Sequence, residues 1–212
     1  MVLRRGEPAF DIVAVAASFG GIEAVSRILG ELPKDLPAAV MVVQHRMPRP
    51  QNTLARVLGY ASTLPVRPVA PGERPASGVV YVAPAGAHVV VNGGVFAERR
   101  VPRGTRPSDE AADVLLTSVA QTYGDRALAV VLTGRLRDGA AGAAAVKRAG
   151  GFVLAEDGRT ARAPGMPIAA LATGCVDHSV PLPVMARAIV ALVMSPGARL
   201  VLARQAPATA SA

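Results

Sequence analysis

Ile12-Val13-Ala14-Val15-Ala16-Ala17-Ser18-Phe19-Gly20-Gly21-Ile22 is the stretch from which the fold is read. Six uninterrupted apolar residues are what a strand covered on both faces requires. Ser-Phe-Gly-Gly then turns the chain, and Ile22, Val25, Ile28 and Leu29 recur at helical spacing before Pro33 stops the run. Strand, tight turn and helix in that order open a βα unit, whose next strand lies parallel to the first.

Outward from this unit the rhythm repeats. Residues 38–43 are apolar throughout and read as a second buried strand. A helix is expected over residues 52–59, with Leu54, Val57 and Leu58 turned inward. The middle of the chain differs. Residues 66–69, 79–82 and 88–97 are short strand-like runs split by Pro and Gly, and Asn92-Gly93-Gly94 marks a hairpin turn. An arginine-rich polar loop follows over residues 99–108. Ser108 or Asp109 is placed to cap a helix running to about Gln121. The βα pattern then resumes: a strand at 128–132, a helix at 139–149 closed by Gly150-Gly151, a strand at 152–155, a short helix at 167–172, a strand at 175–180 and an amphipathic helix at 184–194. The expected architecture is α/β: a doubly wound, mostly parallel sheet with helices on both faces and a small antiparallel hairpin flap, a Rossmann-like arrangement.

The 212 residues suit one such domain, here residues 10–195, with a short tail at 1–9 and a flexible Ala/Pro/Ser-rich tail at 196–212. About half of the residues, 51%, are apolar, so a sizeable core is available. Cys175 is the single cysteine, which excludes an internal disulfide; it reads as a small buried residue at a strand start. The run at 12–17 is too short for a signal peptide or a membrane span, and a cytoplasmic protein is expected. The net charge is +8, almost entirely from arginine. No basic run with interleaved aromatic residues accompanies it, so nucleic acid is not an expected partner.

Three polar residues stand just beyond three buried strands. Ser18 follows the first, His45 the second and Asp138 the strand at 128–132. In an open α/β sheet the carboxyl ends of the strands form the ligand crevice, so these residues can converge there. A serine hydroxyl attacks only when a base removes its proton, and neutral histidine does so. A carboxylate holds the histidine in the right tautomer. The backbone N–H of Phe19 and the helix start beyond it are candidate oxyanion donors, and Gly20 leaves room for a substrate to approach. Each residue also has a plainer explanation: Ser18 as a helix N-cap, His45 as a loop residue, Asp138 as a cap on the helix after Gly139. His88 is expected to pack in the flap and His178 to lie on the last strand.

Taken together, Val15-Ala16-Ala17-Ser18-Phe19-Gly20-Gly21, Val42-Val43-Gln44-His45, Tyr81-Val82-Ala83-Pro84, Arg106-Pro107-Ser108, Val131-Leu132-Thr133-Gly134, Asp138-Gly139-Ala140-Ala141-Gly142 and Gly165-Met166-Pro167 occur in an order that resembles the catalytic domain of the chemotaxis protein-glutamate methylesterases, the CheB type. The resemblance covers roughly residues 11–193. It implies Ser18 as nucleophile, His45 as base and Asp138 as the carboxylate. It further implies hydrolysis of glutamate methyl esters on chemoreceptor helices, deamidation of receptor glutamines, and no metal or organic cofactor. Three features depart from the family pattern. Phe19 stands where threonine is usual, Arg135-Leu136-Arg137 where Met-Gly is usual, and the link over residues 109–112 is longer. No receiver domain precedes residue 10, so a stand-alone domain is expected. Phe19 and Arg135 are therefore expected to reshape the pocket, and Arg46, Arg49, Arg103, Arg106, Arg135 and Arg137 to attract an acidic helical partner.

Two other classes of function fit the residues. One is a docking module of the same fold that grips an acidic partner without catalysis. The other is a phosphate-binding domain built on the Ser18 turn, although no complete G-x-G-x-x-G is present.

Overall fold

A computed structural model of the chain describes residues 9–46, 53–99, 101 and 110–195. Seven strands form one parallel sheet: β1 (Ile12–Ala17), β2 (Ala39–Gln44), β3 (Val66–Pro68), β4 (Val80–Val82), β7 (Ala127–Val131), β8 (Phe152–Glu156) and β9 (His178–Val180). Their spatial order is β3-β4-β2-β1-β7-β8-β9, with every neighbouring pair parallel. The two remaining strands, β5 (His88–Asn92) and β6 (Val95–Arg99), form the antiparallel hairpin turned by Gly93-Gly94. Of the three short runs in the middle of the sequence, only the last is therefore antiparallel; the first two extend the main sheet.

Alternation along the strands sorts the core into two layers. Val13, Val15, Ala17, Val40 and Val42 face α1 (Gly21–Glu31), α2 (Leu54–Ala61) and α6 (Leu182–Met194). Ile12, Ala14, Ala16, Met41 and Val43 face α3 (Ala111–Tyr123), α4 (Ala140–Arg148), α5 (Gly165–Leu171) and the hairpin. The small residues of β1 and β7 let helices approach both faces closely. The hairpin is tied to α3 by the Val91 N–H donating to Ser118 Oγ at 3.0 Å and Thr122 Oγ1 donating to the Val91 carbonyl at 3.0 Å. Buried His88 packs there as expected.

Several expectations are corrected. Val57 is 42% exposed; Leu54, Ala55 and Leu58 carry the buried face of α2. Ile22 is likewise on the outer side of α1, at 43% exposure; the first helical residue, Gly21, is the one turned toward the sheet, with Ala24, Val25 and Ile28 after it. Cys175 is only partly buried and precedes β9 in a loop, its N–H bound to Thr173 Oγ1. Ser108, Asp109 and both tails at 1–8 and 196–212 lie outside the described residues. The cap position of α3 is Glu110, whose side chain makes no capping bond. Among the described residues no helix is long and apolar enough to cross a membrane.

Candidate active site

The site lies where the sheet order reverses. β1 runs to β2 on one side and has β7 on the other, so the loops leaving their carboxyl ends diverge and leave a crevice. Register sets the first contacts. Ala17 pairs with Gln44, so Ser18 and His45 are the next residues on adjacent strands; the His45 N–H donates to the Ala17 carbonyl at 3.0 Å. On the other side the Ser18 N–H donates to the Thr133 carbonyl at 2.9 Å, which binds the serine to the loop after β7.

That loop delivers Asp138. Its Oδ2 lies 2.5 Å from His45 Nε2, with both side chains nearly inaccessible to solvent. Oδ2 also accepts the Ala112 N–H at 2.8 Å, and Oδ1 accepts the N–H groups of Asp113 at 2.8 Å and Gly139 at 2.9 Å. Three backbone N–H groups donate to its two oxygens, the pattern that an ionised carboxylate accepts. With Asp138 as the acceptor of the His45 contact as well, Nε2 carries the histidine proton, and in the neutral ring the lone pair is on Nδ1. Asp138 also takes up two of the orphan N–H groups at the start of α3, a distant substitute for the missing cap at Glu110. The expectation that it serves the helix after Gly139 holds only for the single Gly139 N–H.

Ser18 itself is not an N-cap. Gly20 occupies that position of α1 with φ +83, a left-handed conformation that glycine adopts at no steric cost. The Ser18 carbonyl accepts the Gly21 N–H at 2.9 Å. Among the described residues nothing accepts a bond from the Phe19 and Gly20 N–H groups, and the Ser18 hydroxyl and His45 Nδ1 make no hydrogen bond. A donor pair and a hydroxyl thus remain open at the Ser18 turn, and a ring nitrogen on the residue that follows the adjacent strand.

Gln44 is a part of this arrangement that the sequence reading left out. Its Nε2 donates to the carbonyl of Ser18 at 2.6 Å and to that of His45 at 3.2 Å, tying the two backbones together. Its Oε1 is buried without a partner among the described residues and lies 2.3 Å from where a Cβ on Gly21 would stand. Thr133 is a second such part. Its Oγ1 donates to the Phe19 carbonyl at 2.9 Å and accepts the Ala163 N–H at 2.8 Å. Beneath it, the fully buried Glu156 accepts the Thr133 N–H at 2.9 Å, and burial pushes its carboxyl above the ordinary 4.5. The quoted motifs contain Gln44 and Thr133, but spacing alone carries no sign of what their side chains bond.

Phe19 and Arg135 are in contact: the Arg135 guanidinium lies 3.9 Å from the Phe19 ring centroid. Arg162, absent from the sequence reading, lies 5.0 Å from the same centroid. Cation–π contacts at exposed sites are worth about 0.5–1 kcal/mol each. Among the other arginines singled out by sequence, Arg46 donates to the Ala83 carbonyl at 3.2 Å, and partial burial holds its pKa below the usual value. Arg137 is exposed. Arg49, Arg103 and Arg106 lie outside the described residues. A cavity of about 700 Å³ between Asp11, Arg74, the hairpin turn and Tyr123 lies by the start of β1, and its lining includes none of these site residues.

The sequence and the fold both have known counterparts. A family model described as CheB methylesterase matches residues 13–189. A protein-glutamate methylesterase/protein-glutamine glutaminase of Pyrococcus abyssi is 39% identical over 181 residues, covering 82% of this chain and 48% of that protein. A protein of the same description from Geobacter sulfurreducens is 42% identical over 183 residues, covering 85% of this chain and 49% of its own. The chain thus spans about half the length of the curated relatives it matches. The crystal structure of the Thermotoga maritima CheB methylesterase catalytic domain superposes with a TM-score of 0.81 at 33% identity, covering 87% of this chain and 99% of that one. The match to the family model over most of the sequence, carried by the same fold, places the conclusion beyond fold likeness alone: the chain belongs to the CheB methylesterase family.

Proposed function

We propose that the chain is a serine hydrolase that removes methyl groups from glutamate methyl esters on the cytoplasmic helices of chemotaxis-type receptors, and that it acts in the cytoplasm. The reading rests on one observation above the others: His45 is locked to a buried carboxylate through Nε2 on the strand next to the Ser18 turn. In this scheme His45 Nδ1 takes the proton of Ser18 Oγ as the oxygen attacks the ester carbonyl. The Phe19 and Gly20 N–H groups stabilise the oxyanion. The proton passes to the departing methoxide, and methanol leaves. Water then attacks the acyl-serine with His45 again as base, restoring Ser18 and freeing glutamate. With a glutamine side chain the same steps release ammonia.

The test is methanol release from a methylated receptor fragment, with Ser18→Ala as control. Loss of a nucleophile of this type costs a factor of about 10⁴ or more in turnover. A Ser18→Ala protein that keeps wild-type turnover would rule out the serine mechanism. Labelling of Ser18 by a fluorophosphonate, abolished in His45→Ala, is the independent check on an activated serine.

A further inference from the structure

We propose that Arg135 and Arg162, gathered on the Phe19 ring, form a carboxylate-reading clamp that selects ester-bearing side chains whose helical neighbours are acidic. The inference deepens the esterase reading and rests on it for the position of the scissile group.

Some exposed arginines of this chain pair with its own acids, as Arg27 does with Glu31 and Arg159 with Asp157, and others, such as Arg56 and Arg187, have no carboxylate among the described residues. Arg135 and Arg162 are of the second kind, with neither a carboxylate nor a hydrogen-bond acceptor among the described residues, but they alone share an aromatic ring. Two like charges are nevertheless held on one ring beside the candidate nucleophile. Their backbones are fixed from below. The Gly134 N–H donates to the Ala163 carbonyl at 2.8 Å, and Ala163 is bonded in turn to Thr133. The Arg135 carbonyl lies 2.3 Å from where a Cβ on Gly165 would stand, so the loop seats on a glycine. The Arg162 side chain crosses Gly20, its Cβ 2.8 Å from the position a Cβ on Gly20 would take. Both arginines are thus anchored at their roots, and their forks are open to solvent.

Guanidinium forks match carboxylates in plane and in donor spacing. On a helix, side chains three and four residues apart are roughly 5–6 Å apart at Cβ. A helical substrate that presents its ester to Ser18 therefore brings a carboxylate at either spacing toward the residue next to Ser18. Exposed Phe19 and Leu136 supply apolar contact for the same helix.

The experiment uses two helical peptides of equal length, each with one glutamate methyl ester. Glu occupies the positions three and four residues away in one peptide and Gln in the other. Binding is measured on the full chain carrying Ser18→Ala, which keeps the ester intact, and hydrolysis on the wild-type protein. The acidic peptide is expected to bind about tenfold more tightly than its Gln counterpart, the size of one charge-assisted contact. Adding Arg135→Gln and Arg162→Gln should bring the ratio close to one, and Lys at both positions should retain part of it. Equal affinity for the two peptides, or a preference that survives the double Gln substitution, overturns the clamp. Preferential binding of the acidic peptide without hydrolysis of either removes the esterase reading and leaves the clamp standing. Hydrolysis of both with no preference does the reverse.

Discussion

At the scale of single residues, Asp138 has two tasks that mutation separates from the one task of Ser18. Oδ2 serves His45 and Ala112 while Oδ1 serves Asp113 and Gly139. An asparagine in its place must turn its NH₂ either toward the Asp113 and Gly139 N–H groups, losing both bonds, or toward Ala112 and His45, losing the Ala112 bond and keeping the histidine only in the tautomer that protonates Nδ1. Asp138→Asn is expected to lower turnover by a factor of about 10⁴, because the histidine tautomer is no longer enforced. It should also destabilise the fold by about 1–3 kcal/mol, the cost of buried unsatisfied groups. Ser18→Ala removes a hydroxyl that bonds nothing among the described residues, so its melting temperature should stay near wild type. Thermal unfolding and turnover measured together on the two variants check both halves. If Asp138→Asn unfolds at the wild-type temperature, the helix-start bonds contribute nothing to stability.

At the scale of elements, the turn from β1 into α1 is set by what has no side chain. A Cβ on Gly21 would stand 2.3 Å from Gln44 Oε1 and 2.5 Å from the Ala17 Cβ, both far inside contact distance. Gly21→Ala must push α1 away from the sheet or displace Gln44, which holds the Ser18 and His45 carbonyls. Overpacking of this kind costs about 1–3 kcal/mol. Turnover should fall further than that stability loss accounts for, since Ser18 and His45 are displaced relative to each other. A variant with lowered stability but wild-type turnover would show that Gln44 does not position them. A comparable approach joins α3 to α4: a Cβ on Gly142 would lie 2.6 Å from the Leu116 Cβ, and the Gly142 N–H donates to Asp113 Oδ1 at 2.6 Å.

At the scale of the whole molecule, Glu156 links stability to pH. It is buried at the end of β8 with Thr133 and Thr160 as partners. Desolvation raises its folded pKa above 4.5. A raised folded value means that the protonated form is favoured on folding, so the contribution is complete below 4.5 and is lost as pH rises through the folded value. Glu156→Gln keeps the shape and an acceptor for the Thr133 N–H but cannot ionise. Melting temperatures of the two proteins, followed upward from about pH 4, are expected to diverge, the wild type losing stability relative to the variant. A constant difference across the range would mean that Glu156 does not titrate there. The sequence by itself determined the parallel α/β order, because apolar runs as short as residues 12–17 and 38–43, bounded by turn residues and alternating with helical spacing, read as buried strands. It also placed Ser18, His45 and Asp138 beyond strand ends, since that depends only on where each run stops. Which strand neighbours which, and therefore that His45 bonds Asp138 across 93 positions of sequence, was decided by tertiary structure. So were the outward turn of Val57 and Ile22, the service of Asp138 to α3, and the meeting of Phe19 with Arg135 and Arg162. Periodicity records which side of an element is apolar, but it carries no record of contacts between segments far apart in the chain, and those contacts set the geometry of this site.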